Sequence, residues 1–198
     1  MSFNRKDSYH QRARAAGYRA RSAYKLAELN RRYRVIRRGD AVVDLGCWPG
    51  GWLQVTLELI GPEGCAVGVD VAPLAPLGAP NVFGVQGDVR EVATIDAVLQ
   101  KLGRRADALL SDLSPKLTGV RATDDAHSTE LVRTTLDVLP ILLRRGGRLV
   151  TKVFMNPDYE GILADVRGRF STVHTTRPEA SRRGSAELYL LGIGFGEG

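Results

Sequence analysis

Residues 44–52 read Asp44-Leu45-Gly46-Cys47-Trp48-Pro49-Gly50-Gly51-Trp52 and follow directly on the apolar run Ala41-Val42-Val43. The run predicts a buried strand that ends at Asp44, and the glycines after it predict a tight turn into a helix. This turn lacks the G-x-G-x-x-G spacing of a dinucleotide loop, so a pyrophosphate cradle is not supported. A carboxylate at the strand end would also repel phosphate. It suits a ligand that carries an amine or another positive charge.

Working outward, DAVVDLG (40–46), CAVGVD (65–70), NVFGVQGD (81–88), ADALLSD (106–112) and GRLVTKVF (147–154) predict five strands. Between them, GWLQVTLELIG (51–61) and TIDAVLQKLG (94–103) predict helices stopped by Gly61 and Gly103. The stretch 113–128 reads as a polar loop leading into a long helix over 129–145, which Pro140 should bend or bring to its last turns. YEGILADVRGRF (159–170) predicts a further helix, and 171–177 and 186–195 predict two last strands. Upstream, Ser22 reads as the N-cap of a helix over 23–33, with Ala23, Leu26, Leu29 and Tyr33 on its apolar side. Strands alternating with helices predict an α/β fold: a doubly wound, mostly parallel sheet with helices on both faces. The last two strands have no helix between them and should pair antiparallel.

The chain has 198 residues, 43% hydrophobic and 25% charged, which suits one full-sized domain. It contains no apolar run long enough to span a bilayer. Two cysteines without a CxxC, and the scattered His10, His127 and His174, argue for neither a disulfide framework nor a metal site. The net charge of +6 is unevenly spread: residues 1–38 hold twelve Lys/Arg against Asp7 and Glu28, and the remainder is slightly acidic. With Tyr9, Tyr18, Tyr24 and Tyr33 interleaved, this reads as a basic helical extension that faces RNA, ahead of a single globular unit at 39–198. Arg12, Arg14, Arg19, Arg21, Arg31 and Arg32 are the candidate phosphate contacts. An Arg-rich start also resembles an organellar transit peptide, but a cleaved leader would contribute nothing to a site that needs Lys25. No apolar signal core is present, and a cytoplasmic protein is the expectation.

Asp44, Asp70, Asp88 and Asp112 stand at or just after the carboxyl ends of four predicted strands, where sheets of this kind bind ligands. Asp70 lies 26 positions after Asp44, the offset of an acid that holds a ribose hydroxyl pair. Gly46, Gly50 and Gly51 would let backbone approach the ligand. Acids, ribose contact and absent phosphate loop together describe S-adenosylmethionine as the cofactor.

The turn resembles the D-L-G-A-A-P-G-G-W motif of the FtsJ (RrmJ-type) RNA 2′-O-ribose methyltransferases. RSAYKL (21–26), QGD (86–88), SDLSPKLTG (111–119), VTKVF (150–154) and SRRGSAELYLL (181–191) are similar to that family's other motifs, in the same order. The resemblance runs from about Arg19 to Leu191 and implies a class I, Rossmann-like methyltransferase fold with an antiparallel C-terminal strand. It implies a catalytic tetrad at Lys25, Asp112, Lys152 and Glu187. Cofactor contacts are implied at Gly50, Trp52, Asp70, Asp88 and Asp112, with Asp44, Gly46 and Gly51 beside them in the turn. Two departures stand out: Cys47-Trp48 replaces two small residues, and Met155-Asn156-Pro157 replaces the usual Gln-Gly after Phe154.

A ribose 2′-hydroxyl must lose its proton as the methyl arrives. Lys152 is the candidate either for general base, which requires a neutral amine, or for a cation that orients the hydroxyl and stabilises developing charge. Lys25 would push its pKa down, and Asp112 and Glu187 would push it up. The implied substrate is a uridine of large-subunit ribosomal RNA, carried within a large-subunit particle, with the enzyme a monomer that needs no metal. A tRNA anticodon loop or an mRNA cap is the alternative substrate. A non-catalytic RNA-binding assembly factor is the alternative of another class.

Overall fold

The apolar run Ala41–Leu45 forms β1, and all five of its residues are buried. In the computed structural model, which describes residues 5–116, 118–181 and 184–196, this strand lies in the interior of a seven-stranded sheet. The other strands are β2 (Cys65–Asp70), β3 (Val82–Gln86), β4 (Ala106–Ser111), β5 (Leu143–Phe154), β6 (Phe170–Thr176) and β7 (Glu187–Phe195). Their spatial order is β3-β2-β1-β4-β5-β7-β6. The first five run parallel, and β7 alone runs antiparallel, wedged between β5 and β6. The chain builds outward from β1 through β2 to β3, then returns to place β4 on the other side of β1. This reversal opens a crevice over the carboxyl ends of β1 and β4.

Successive residues of β1 enter opposite cores, which explains an uninterrupted apolar run instead of an alternating one. Ala41, Val43 and Leu45 pack with α4 (Val92–Leu102), α5 (Arg121–Leu142) and α6 (Tyr159–Arg167). Val42 packs with Ala108, Leu110, Val150 and Tyr189 under α2 (Ala23–Tyr33) and α3 (Gly51–Ile60). Leu26 and Leu29 of α2 are fully buried in that second core. A first helix, α1 (Arg5–Ala15), precedes it. No described helix is long and apolar enough to cross a membrane.

Three local expectations are corrected. Ser22 makes no side-chain cap to α2; its carbonyl instead accepts from the Lys25 amide at 2.9 Å and from the Trp52 indole at 2.9 Å. The polar stretch before Thr129 is not all loop, because α5 begins at Arg121. Asp124 gathers the Thr118 amide and hydroxyl (2.7 and 2.8 Å) and the Gly119 amide (3.2 Å) ahead of the helix. The Ser128 hydroxyl folds back onto the Asp124 carbonyl. These residues favour turns by propensity, and here the same local hydrogen bonds open and line the first turns of the helix instead. Finally, β5 begins at Leu143, where the sequence reads as the last turn of a helix. Pro140 sits within the last turn of α5, and the Leu136 carbonyl, left without its i+4 amide, accepts from the Arg169 guanidinium at 2.7 Å.

Candidate active site

Sheet register assembles the tetrad. Ser111 pairs with Thr151, so Asp112 and Lys152 follow as neighbours at the ends of β4 and β5. Lys152 pairs with Tyr189, and Phe154 with Glu187, across β5 and β7. By the period of two, Lys152, Tyr189 and Glu187 share one face with Val150 and Leu191, the face covered by α2. Lys25 reaches them from the first turns of that helix.

The Lys152 ammonium lies 3.2 Å from Asp112 Oδ1 and donates to the Asp112 carbonyl at 2.9 Å. Lys25 Nζ pairs with Glu187 Oε1 at 2.7 Å and lies 3.3 Å from the Tyr189 hydroxyl. Tyr189 in turn donates to Asp112 Oδ1 at 2.8 Å, so one phenol joins the two ion pairs. Burial alone would raise the Glu187 carboxyl, but the charge and hydrogen bond of Lys25, with the Ser181 hydroxyl and Lys152, hold it below the usual carboxylate value. Burial, together with Asp112 and Glu187, pushes the Tyr189 phenol well up, so it stays protonated and donates its hydrogen bond to Asp112. Tyr189 was not singled out from the sequence. Its signal was its place two residues after Glu187, on the same face of the strand.

A cavity of about 410 Å³ opens beside this cluster, over the switch point. Asp70, Asp88 and Asp112 line it, with Gly46 and Trp48 from the turn, Arg90, and Leu131 and Thr134 from α5. Asp70 accepts the Trp48 amide at 2.9 Å on one oxygen and the Ala72 amide at 2.9 Å on the other, leaving further lone pairs on both. Asp88 is clasped by Arg90, at 2.6 Å for the shortest contact, and those hydrogen bonds lower its pKa. Trp48 is 60% exposed and stands at the mouth.

The remaining turn residues sit behind the wall. Asp44 is fully buried, and neither carboxylate oxygen has a hydrogen-bond partner. Burial first, then Asp112 and Asp70, push its pKa well up. The glycines also admit the protein's own chain: at Gly46, which itself lines the cavity, a Cβ would meet the Leu113 backbone at 3.2 Å, and one at Gly51 would meet Ala20 Cβ at 3.0 Å. Trp52 is buried, its indole donating to Ser22 and lying 6.0 Å from the Tyr189 ring. Trp52, Gly50 and Gly51 are not among the residues that line the cavity.

The six arginines divide. Arg12 and Arg14 in the last turn of α1, and Arg31 and Arg32 in that of α2, are exposed. Arg12 lies over the Tyr9 and Tyr24 rings, and Arg32 over Tyr33. Arg21 is half-buried. Arg19, although exposed, has its guanidinium engaged by three backbone carbonyls of the body and is not a free cation. Arg182 and Arg183, within the last quoted motif, and Leu117 lie outside the described residues.

The donor set fits S-adenosylmethionine: carboxylates line the cavity, the buried Asp44 oxygens lack a partner, and the turn lacks a phosphate cradle. No group of three or more His, Cys, Asp or Glu among the described residues is arranged to hold a metal. A doubly wound sheet in this order, carrying this cavity at its switch point, is the architecture expected of a class I, S-adenosylmethionine-dependent methyltransferase.

Residues 18–195 match the FtsJ-like methyltransferase family. The chain belongs to that family, as its motifs implied. A ribosomal RNA large subunit methyltransferase E of Methanothrix thermoacetophila is 44% identical, over 97% of this chain and 74% of its own length. The protein of that description from Methanothermobacter thermautotrophicus is 38% identical, over 96% of this chain and 90% of its own. Among solved structures, a ribosomal RNA methyltransferase of Plasmodium falciparum is similar at TM-score 0.79 and 28% identity, covering 90% of this chain and 98% of its own. Fibrillarin of Aeropyrum pernix, solved with S-adenosyl-L-methionine bound, shares the fold at TM-score 0.61 and 17% identity, over 87% of this chain and 76% of its own.

Proposed function

We propose that this chain methylates a ribose 2′-hydroxyl of large-subunit ribosomal RNA, with S-adenosylmethionine as methyl donor. The observation that carries the reading is the Lys152–Asp112 pair, 3.2 Å apart, in which Lys152 is buried and Asp112 lines the cavity. S-adenosylmethionine supplies an electrophilic methyl group. With the cofactor bound, Asp70 would hold its ribose hydroxyls, Asp88 would border its adenine, and the turn at Gly50–Trp52 would approach its amino-acid end.

On the substrate side, Asp112 engages Lys152 through both its carbonyl and its carboxylate, and the remaining Nζ position is presented to the ribose hydroxyl. Nζ accepts the departing proton as the neutral amine, one N–H having first been released to solvent, and the transfer leaves it an ammonium held by Asp112. Lys25 and Glu187, tied to Asp112 through Tyr189, hold this pair in place. Alignment of oxygen with the methyl carbon supplies much of the acceleration. Arg12, Arg14, Arg31 and Arg32 contact phosphates. The enzyme acts as a cytoplasmic monomer, without metal, on an assembled large-subunit particle.

The test is methyl transfer from labelled S-adenosylmethionine to large-subunit particles and to free ribosomal RNA, followed by digestion to nucleosides. Label in a 2′-O-methyl nucleoside is the expected outcome. Label on a base, or none in either substrate, contradicts the proposal.

A further inference from the structure

Gly17–Ser22, between α1 and α2, is knitted onto α3 and the turn that precedes it. The Tyr18 hydroxyl donates to Glu58 at 3.0 Å, the Arg19 amide donates to Gln54 Oε1 at 2.7 Å, and Gln54 Nε2 donates to the Gly17 carbonyl at 2.8 Å. Arg19 then reaches further. Its Nη1 donates to the carbonyls of Ala75 (2.6 Å) and Pro49 (3.3 Å), and its Nη2 to that of Pro76 (2.7 Å).

Those carbonyls belong to two separate segments: the turn after β1 and the loop after β2. The same two segments are joined a second time, by Asp70. One of its oxygens takes the Trp48 amide, next to Pro49, and the other takes the Ala72 amide, in the loop that runs on to Ala75 and Pro76. An anion thus rivets the pair of segments through two amides, and a cation rivets it through three carbonyls. The loop Val71–Gly78 contains no helix or strand and carries Pro73 and Pro76, which have no amide to donate. Its position depends on such external ties. A guanidinium suits this role because its planar fork meets several acceptors in fixed directions, which a lysine ammonium does not.

We infer that Arg19 is a positioning residue for the cofactor site, not a phosphate contact: it clamps the two segments that aim the Asp70 carboxylate at the cofactor ribose. The inference rests on the cofactor reading above. Loss of Arg19 removes one of the two side chains that bridge both segments, leaves Asp70 and the packing of Leu74 and Leu77 to hold them, and loosens the aim of the Asp70 lone pairs at the ribose hydroxyls.

The experiment is calorimetric titration of the full chain with S-adenosylmethionine and with its 2′,3′-dideoxyribose analogue, for the parent, Arg19→Ala, Arg19→Lys and Arg12→Ala. In the parent, removal of the hydroxyls weakens binding. In Arg19→Ala, affinity for S-adenosylmethionine falls about tenfold, while the analogue loses much less, the signature of a coupled pair. A general loss of structure would weaken both ligands alike and would overturn the inference. Arg19→Lys recovers less than half of the loss. Binding to ribosomal RNA supplies the converse: Arg12→Ala flattens the slope of log K against log salt by roughly 0.7–0.9, and Arg19→Ala leaves it unchanged. Full cofactor affinity in Arg19→Ala with a flattened slope would return Arg19 to the phosphate contacts. A parent chain that binds no S-adenosylmethionine would sink the cofactor reading itself.

Discussion

The two ends of the sheet carry the same residue types to opposite ends. At the amino end, Asp40 accepts from the buried Arg148 at 2.9 Å, and Asp107 accepts from Arg104 and Arg144 at 2.6 Å each and from the Ala41 amide at 2.8 Å. Burial would raise the Asp107 carboxyl, but the arginines and the amide outweigh it and bring its pKa to about 2. At the carboxyl end, Asp44 has no partner, Asp70 keeps lone pairs free, and Asp112 divides itself between Lys152 and Tyr189. Acids that have all their partners stabilise a fold. Acids left partly open, beside a cavity, are arranged for a ligand.

That contrast can be broken or sharpened by substitution. The largest binding effect is expected at the open end: Asp70→Ala should weaken S-adenosylmethionine by roughly tenfold to a hundredfold, the cost of one or two hydrogen bonds to a charged acceptor. Calorimetry with undiminished affinity would remove Asp70 from the cofactor site. At the closed end, Asp107→Asn should cost about 2 kcal/mol of stability, the linkage equivalent of its lowered pKa, with cofactor affinity retained. Because the folded value is depressed, this stabilisation is complete above the unfolded value of 3.8 and is lost as pH falls toward about 2. Denaturant curves for the two proteins should therefore differ at pH 7 and converge in acid. A pH-independent gap would contradict the ion-pair account.

The smallest effect is expected at Trp48. Burying about 40 Å² of indole against a ligand contributes about 1 kcal/mol, so Trp48→Ala should weaken the cofactor only a few-fold. Trp48 is 60% exposed and Trp52 only 3%, so a cofactor-induced change in tryptophan fluorescence should vanish in that variant. A change that persists would assign the signal to Trp52.

Much of this division was legible in the sequence. Strand ends announced themselves because apolar runs stop at aspartates, and Gly61 and Gly103 mark helix ends by geometry that the amino-acid type carries. Other features depended on partners that residue type alone does not reveal. The start of α5 was hidden because Asp124 and Ser128 favour loops until nearby Thr118, Gly119 and the helix itself supply their hydrogen bonds. The glycines of the turn suggested room for a ligand; Gly46 does line the cavity, and both it and Gly51 also make room for Leu113 and Ala20. Arg19 looked like its neighbours in a basic run, and only the fold brings the carbonyls of Pro49, Ala75 and Pro76 around it. Tyr189 was missed for a similar reason: a tyrosine in an apolar strand reads as core until Asp112 and Lys25 are seen against its hydroxyl.

The central claim, that the carboxyl end performs the reaction through Lys152, is tested most directly by single-turnover methyl transfer with the Lys152→Arg protein, alongside its cofactor affinity and melting temperature. The account predicts a rate lowered by a factor on the order of a thousand, with affinity and melting near those of the parent, because a guanidinium keeps the charge but cannot accept the hydroxyl proton. A near-normal single-turnover rate would contradict it and leave Lys152 a positioning cation.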